Sequence, residues 1–257
     1  MIVTSLAVAT DRRAAMTEHM AVLGLAFSFF DAIDGRGMTD KRIAYYNPQP
    51  YLAEFLRPLS PGEIGCVASF ETVCRMIAEG SEEFVCVAED DALFTTDTLP
   101  FLERAYLERL PAFDMLRLGG DHGKSRWGVT LEDYGDRALT IAFSNYICGV
   151  VQVMTRQGAV KAARSLVPIK AALDHTLFRD PRTELATLTI RPMPAGLMPF
   201  PSTIDMMGGR AYRFVSLKPL TWLRRNFYHM WRRMLIGPYF VKVWGWRMLL
   251  RLRPYRH

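Results

Sequence analysis

Apolar and polar positions change period in blocks along the first ninety residues. Residues 2–9 (IVTSLAVA) are an apolar run suited to a buried strand. Thr10 or Asp11 then caps a helix to about Leu23, with Gly24 as its stop. Residues 26–33 (AFSFFDAI) return to a strand pattern that ends at Asp34-Gly35, so the chain opens as a βαβ unit and predicts a parallel pairing. Residues 36–58 lack clean periodicity and read as a loop with short helical pieces. Ser60-Pro61-Gly62-Glu63 is a strong helix start: Ser60 caps, Pro61 fits the first turn, and Glu63 completes a capping box. Ile64, Val67, Phe70, Cys74 and Ile77 follow at helical spacing on one face, and Gly80 ends the helix.

Residues 84–88 (FVCVA) form a short apolar strand that runs directly into Glu89-Asp90-Asp91. Residues 114–118 (DMLRL) give another strand, 121–137 a polar surface loop, and Tyr146 to Met154 a long strand. Thr155 caps a helix to about Leu166, and Pro192, Pro194, Pro199 and Pro201 break up the next segment. The pattern predicts an α/β fold.

Composition adds bounds. A chain of 257 residues, half apolar and 23% charged, is globular and long enough to bury a core without staples. Cys66, Cys74, Cys86 and Cys148 form no CxxC pair, which argues against a zinc site. The first ten residues lack the basic start and length of a secretory signal, and free thiols suit a reducing cytosol. Residues 211–257 hold eleven Lys/Arg and no Asp/Glu, whereas the rest holds 21 basic and 26 acidic residues. The expected division is therefore a body over 1–210 and a basic, Trp-rich extension over 211–257.

Three constellations carry candidate chemistry. Glu89-Asp90-Asp91 places three mutually repelling carboxylates at the carboxyl end of a strand, where α/β sheets gather ligands, and a hard divalent cation would compensate them. Thr10-Asp11-Arg12-Arg13 after the first strand, with Asp34 and Gly35 after the second, belong to the same sheet edge, where an arginine suits a phosphate and an aspartate a ribose hydroxyl. Asp174-His175 offers a general base. Each has a plainer alternative: a solvated acidic turn, a capped helix with solvent-facing arginines, and a helix cap. His19 reads as a helix-surface residue, and His122 sits in the polar loop within reach of a substrate. No GxGxxG, Walker or GxSxG motif is present.

Together these segments resemble glycosyltransferase family 25, the lipopolysaccharide and lipooligosaccharide sugar transferases. The matching pieces are DRRAAM at 11–16, LGLAFSFFDAIDG at 23–35, LSPGEIGC at 59–66, VAEDDALF at 87–94 and the region from Tyr146 that ends in ALDHTL at 172–177. The resemblance implies a GT-A-like nucleotide-sugar-binding fold with a mixed sheet, a UDP-hexose donor (galactose or glucose), Mn²⁺ or Mg²⁺, and inversion at the anomeric carbon. By position, Asp91 and Glu89 become metal ligands. Asp11, Arg12, Asp34, Gly35, Glu89 and Asp90 become donor-side residues, and Asp174 the catalytic carboxylate. Glu63 is explained by its cap. The family's usual Ser-His after GEIGC is Ser69-Phe70 here, a departure that implies altered specificity or activity. Two rivals are a metal-dependent phosphohydrolase or nucleotidyltransferase, and a catalytically inactive membrane-associated relative.

The extension has its own pattern. On a helix from about Thr221, Leu223, Phe227, Met230 and Met234 form one stripe, and Arg224, Arg225, Arg232 and Arg233 fall off it. Gly237-Pro238 is expected to break that helix. Arginine around an apolar, aromatic face suits an anionic membrane surface, and no nucleic acid is expected as partner. The implied setting is cytoplasmic, peripheral on the inner face of the membrane, with a saccharide or lipid-linked saccharide acceptor.

Overall fold

The computed structural model describes residues 1–48, 58–120, 127–143, 149–201 and 219–254. β1 (Ile2–Ser5) leads through α1 (Thr10–Val22) to β2 (Ser28–Asp31), which pairs parallel to β1 with Ser5 opposite Asp31. The expected βαβ opening is therefore present. α1 closes on a Schellman turn: Gly24 N–H donates to Ala21 O and Leu25 N–H to Met20 O. Gly24 sits at φ +66°, where a side chain is strained. The start of α1 differs from expectation. Ala9 occupies the cap position without a side-chain bond, and both Thr10 and Asp11 lie inside the helix.

After a 3-10 turn at Gly35–Gly37 come α2 (Asp40–Tyr46) and α3 (Pro61–Glu79). The chain continues through β3 (Phe84–Glu89), β4 (Ala92–Leu93), a 3-10 segment at Thr96–Leu102, α4 (Arg104–Glu108) and β5 (Met115–Gly119). Next are β6 (Trp127–Asp133), β7 (Ala138–Ala142), β8 (Val151–Thr155), α5 (Arg156–Leu166) and α6 (Leu173–Arg179). The described part ends with β9 (Thr187–Arg191), β10 (Gly196–Leu197), α7 (Pro219–Trp244), α8 (Trp246–Leu249) and β11 (Arg253–Pro254).

Among the described residues nine strands make one mixed sheet in the order β11-β6-β7-β9-β5-β8-β3-β1-β2. β1 is parallel to both β2 and β3, so the carboxyl ends of these three strands share one edge. β8 runs antiparallel between β3 and β5. Two apolar layers cover the sheet. One joins Val3, Met16, Met20, Leu116, Leu118, Val151 and Val153. The other joins Val67, Phe70, Cys74, Met115, Met154, Leu166 and Leu177 under α3, α5 and α6. β3 alternates between them, with Val87 in the second layer and Cys86 and Ala88 in the first.

The α3 cap is formed as expected: Ser60 N–H donates to Glu63 Oε2 at 2.8 Å, and Glu63 N–H to Ser60 Oγ at 3.2 Å. The Ile64–Ile77 stripe is buried, Phe70 included. Thr155 caps α5 by accepting from Gly158 N–H at 2.9 Å.

Three expectations are corrected. Residues 127–133 are strand rather than loop, and only 134–137 form a short turn: β6 and β7 make an antiparallel pair that continues the sheet, because Val129, Leu139 and Ile141 reach the core. The strand expected from Tyr146 begins at Val151, and residues 144–148 lie outside the described ones, as does His122. Gly237-Pro238 does not end the helix. Pro238 removes one backbone donor, but the following turn is fixed to the body. Phe240 is fully buried beside Phe143, Tyr239 Oη donates to Leu185 O at 2.6 Å, and Lys242 pairs with Glu184. β11 then joins the sheet as a short edge strand against β6.

A carboxylate cluster at the edge of the parallel strands

β1 and β3 lie side by side with Thr4 opposite Glu89, so the acidic triplet begins where both strands end. The strand alternation splits it. Glu89 follows Val85 and Val87 on the α3/α6 side, and Asp90 falls on the side of α1.

On the α1 side the compensation for the acidic charge is an arginine. Arg12, in the first turn of α1, places Nη1 3.0 Å from Asp90 Oδ1 and Nη2 on Asp91 Oδ2. Ser5 Oγ donates to the other Asp90 oxygen at 2.7 Å. These side chains are largely buried, at 15% exposure for Arg12, 9% for Asp90 and 15% for Asp91. Arg13 ties the ends of β1 and β2 together, with Nη2 on Ser5 O at 2.9 Å and a further bond to Asp31. β4 and β10 pair antiparallel just beyond, and Met198 N–H donates to Asp91 O at 2.7 Å. Phe200 closes this side, its ring centroid 5.5 Å from the Arg12 guanidinium carbon.

On the other side, Asp174 stands in the first turn of α6 close enough to Glu89 to act on its charge. Burial pushes the Glu89 carboxyl well above its ordinary range. Asp91, Asp174 and Asp90 push it further, and Arg12 offsets part of this. Burial also raises Asp91, with Arg12 opposing and Asp90 adding to the shift. Asp91 Oδ1 is buried and has no hydrogen-bond partner among the described residues. Among the described residues Arg12 thus offsets part of the negative charge gathered around Glu89.

Asp34 and Gly35 reach the edge by a different device. The Asp34 carboxylate accepts from Arg36 N–H at 3.0 Å and forks with the Arg36 guanidinium, which holds it below its ordinary range. A Cβ on Gly35 would lie 1.7 Å from Pro61 O, and one on Gly65 2.4 Å from Ile33 O. The two glycines therefore let the segment after β2 press directly on the first turns of α3. Ser69 completes the joint: Ile33 N–H donates to its Oγ at 2.7 Å, and the hydroxyl donates to Gly65 O at 2.7 Å. Asp11 is exposed and makes no contact with the Arg12 cluster among the described residues. His19 is half-buried rather than on the surface, because Nε2 accepts from Phe94 N–H at 3.1 Å.

Sequence reasoning brought together Arg12, Arg13, Glu89, Asp90, Asp91 and Asp174, but missed Ser5, Phe200, Arg117 and Gln152. Arg117 is a buried cation in the middle of β5, stacked on Phe178 of α6 at 4.1 Å and opposite Gln152 of β8. A charged residue inside the apolar run DMLRL was the available signal for it.

A family model described as glycosyltransferase family 25 (LPS biosynthesis protein) matches residues 1–129, a stretch that includes β1 to β5 and the acidic triplet. A glycosyltransferase 25 family member from Anopheles gambiae is 33% identical over 165 residues, 60% of this chain and 27% of the mosquito protein. One from Aedes aegypti is 32% identical over 114 residues, 43% of this chain and 18% of that protein. The chain therefore spans about a quarter or less of the curated relatives it matches. A solved structure described as a UDP-N-acetylglucosamine pyrophosphorylase from Entamoeba histolytica is 13% identical, covers 63% of this chain and 45% of its own, and has a TM-score of 0.28, too slight a likeness to bear on the fold. On the family match over half its length, with the same family named for both mosquito relatives, this chain belongs to glycosyltransferase family 25.

Proposed function

We propose that the chain is a glycosyltransferase of GT-A-like architecture that moves a hexose from a UDP-sugar to a hydroxyl of a surface saccharide such as lipopolysaccharide. The observation that carries this reading is the gathering of Glu89, Asp90, Asp91 and Asp174 at the shared carboxyl edge of β1 and β3, where α/β sheets bind nucleotides. The edge is flanked by arginines suited to a diphosphate.

The family resemblance implies a divalent cation, and the residues fit one of a particular kind. Among the described residues no three His, Cys, Asp or Glu side chains gather as a protein cage. Mg²⁺ and Mn²⁺, however, often take one or two carboxylates and fill the remaining positions with substrate phosphates and water. Asp91, whose buried Oδ1 has no hydrogen-bond partner among the described residues, is the ligand of choice, and Glu89 beside it is the second. Such an ion, when bound, offsets the negative charge that develops on the departing diphosphate.

The protein's own groups supply the rest. Arg12 is bonded to Asp90 and Asp91, which aims its guanidinium at the edge where the diphosphate would lie. On this reading Asp34 and the Gly35 backbone, the latter packed against α3, meet the nucleoside end, as does Asp11 in the first turn of α1. Asp174 accepts the proton of the attacking hydroxyl as the bond from that oxygen to the anomeric carbon forms and the bond to the diphosphate breaks, which inverts the carbon. The test is a panel of UDP- and GDP-sugars with Mn²⁺, read as protection against thermal unfolding. Protection by a UDP-hexose and not by GDP-sugars supports the reading, and no protection by any UDP-sugar overturns it.

A further inference from the structure

The first half of α7 carries an apolar stripe that the body leaves open. Leu223 is 58% exposed, Phe227 63%, Met230 53% and Met234 68%. Their spacings of four, three and four residues keep them within an arc of about 60° on a helix of 3.6 residues per turn. Further along the same helix, Phe240 is fully buried and Tyr239 is bonded to Leu185, so the helix has a docked end and an undocked stripe. Beyond it, Trp246 and Leu250 are also exposed, among the exposed Arg247, Arg251 and Arg253.

The segment's own charge is of one sign, and Glu184 of the body meets it only at the docked end, through Lys242. Residues 211–257 contain eleven Lys/Arg and no Asp/Glu. Arg233, on the helix itself, is exposed beside the stripe. No described helix is long and apolar enough to cross a membrane. A helix with a narrow apolar stripe in a wholly basic segment matches a surface that is apolar below and anionic above. A protein partner would have to be acidic and apolar at once, and a second copy of this chain would bring like charge against like charge.

We propose that α7 and the segment after it form a docking surface for an anionic lipid bilayer, with Leu223, Phe227, Met230 and Met234 entering the acyl boundary and the arginines meeting the headgroups. This surface is separate from the carboxylate cluster, so the proposal stands or falls independently of the donor. It places the protein where a lipid-linked acceptor would be presented.

The test is co-sedimentation of the full chain with vesicles of phosphatidylglycerol and phosphatidylcholine in equal parts, against pure phosphatidylcholine. The full chain binds the anionic vesicles and spares the neutral ones, and half-molar salt removes only part of the binding. Phe227→Ser, Met230→Ser and Met234→Ser together lower the partition about tenfold or more. Their exposure predicts an unchanged unfolding midpoint. Arg233→Glu with Arg247→Glu weakens binding to the anionic vesicles and makes it less salt-sensitive. Full-strength binding by both variants overturns the proposal, as does a full chain that ignores the vesicles. So does a full chain that binds single-stranded oligonucleotides in place of vesicles, or one that is dimeric until the apolar stripe is replaced.

Discussion

Replacing Gly35 with alanine separates two readings of the Asp34-Gly35 pair. As a donor contact only, Gly35 would accept a methyl group at the expense of binding alone. The structure gives it a mechanical part as well. The new Cβ would sit 1.7 Å from Pro61 O and 2.6 Å from Pro61 C, and real Cβ atoms essentially never come within 3.0 Å of a heavy atom. The first turn of α3 would have to retreat by about 1.3 Å, and both neighbours are backbone, so no side-chain rotation relieves the clash. The Ser60–Glu63 capping box and the Ile33–Ser69 bond hold that same turn. Overpacking against fixed backbone costs about 3 kcal/mol, which for a chain of this size lowers the unfolding midpoint by about 6–12 °C. Gly37, two residues on, is the internal control, because a Cβ there meets nothing within 4 Å. Calorimetric unfolding of both variants decides the matter. Gly35→Ala should fall by the stated amount while Gly37→Ala stays within about 2 °C of the parent. An unchanged midpoint for Gly35→Ala, or equal losses for both, would refute the packing argument.

Three further outcomes follow from the cluster. Arg12→Met leaves Asp90 and Asp91 without their largely buried cation and should cost about 3 kcal/mol in thermal unfolding, with part recovered in the double variant Arg12→Met/Asp91→Asn, since a lone buried charge is worse than none. Glu89, whose folded-state carboxyl is raised from its ordinary 4.5, binds a proton in the native state at pH values where the unfolded chain has lost it, so stability falls as pH rises from about 4.5 through the raised value. Glu89→Gln should flatten that slope in metal-free buffer and stabilise the chain at neutral pH by about 1 kcal/mol, and an unaltered pH profile would place the dependence elsewhere. Asp174→Asn should lower turnover by about a hundredfold with UDP binding retained, and a loss of binding instead would make Asp174 a donor contact.

Much of this site was legible because its signals are local. The capping box at Ser60–Glu63 lies within four residues, and the apolar run into Glu89-Asp90-Asp91 marks a strand end without reference to anything distant. What the sequence hides is register. That Ser5 supports Asp90 and Arg12 spans Asp90 and Asp91 depends on β1 lying beside β3, some eighty residues apart. The triplet reads as three equivalent carboxylates in one dimension. In the sheet it divides between two faces, one closed by α1 and the other by α6. β6 escaped notice because Gly128, Glu132 and Asp133 look like loop residues and its partner β7 supplies the order. Pro238 suggests a helix end by itself, and only the buried Phe240 two residues later overrules it. For the same reason, removing everything after Arg210 would strip core residues and an edge strand along with the basic segment, so surface substitutions are the cleaner probe.

Titration of UDP into the protein with Mn²⁺ present, for the parent chain and for Asp91→Asn, is the most direct measurement of whether this edge binds a nucleotide-sugar donor. The account predicts binding by the parent that depends on Mn²⁺. Binding by Asp91→Asn should be about ten- to a hundredfold weaker, matching the loss of one charge-assisted contact, with its unfolding still cooperative. Equal affinity in the two proteins, or UDP binding by the parent that ignores Mn²⁺, would contradict it.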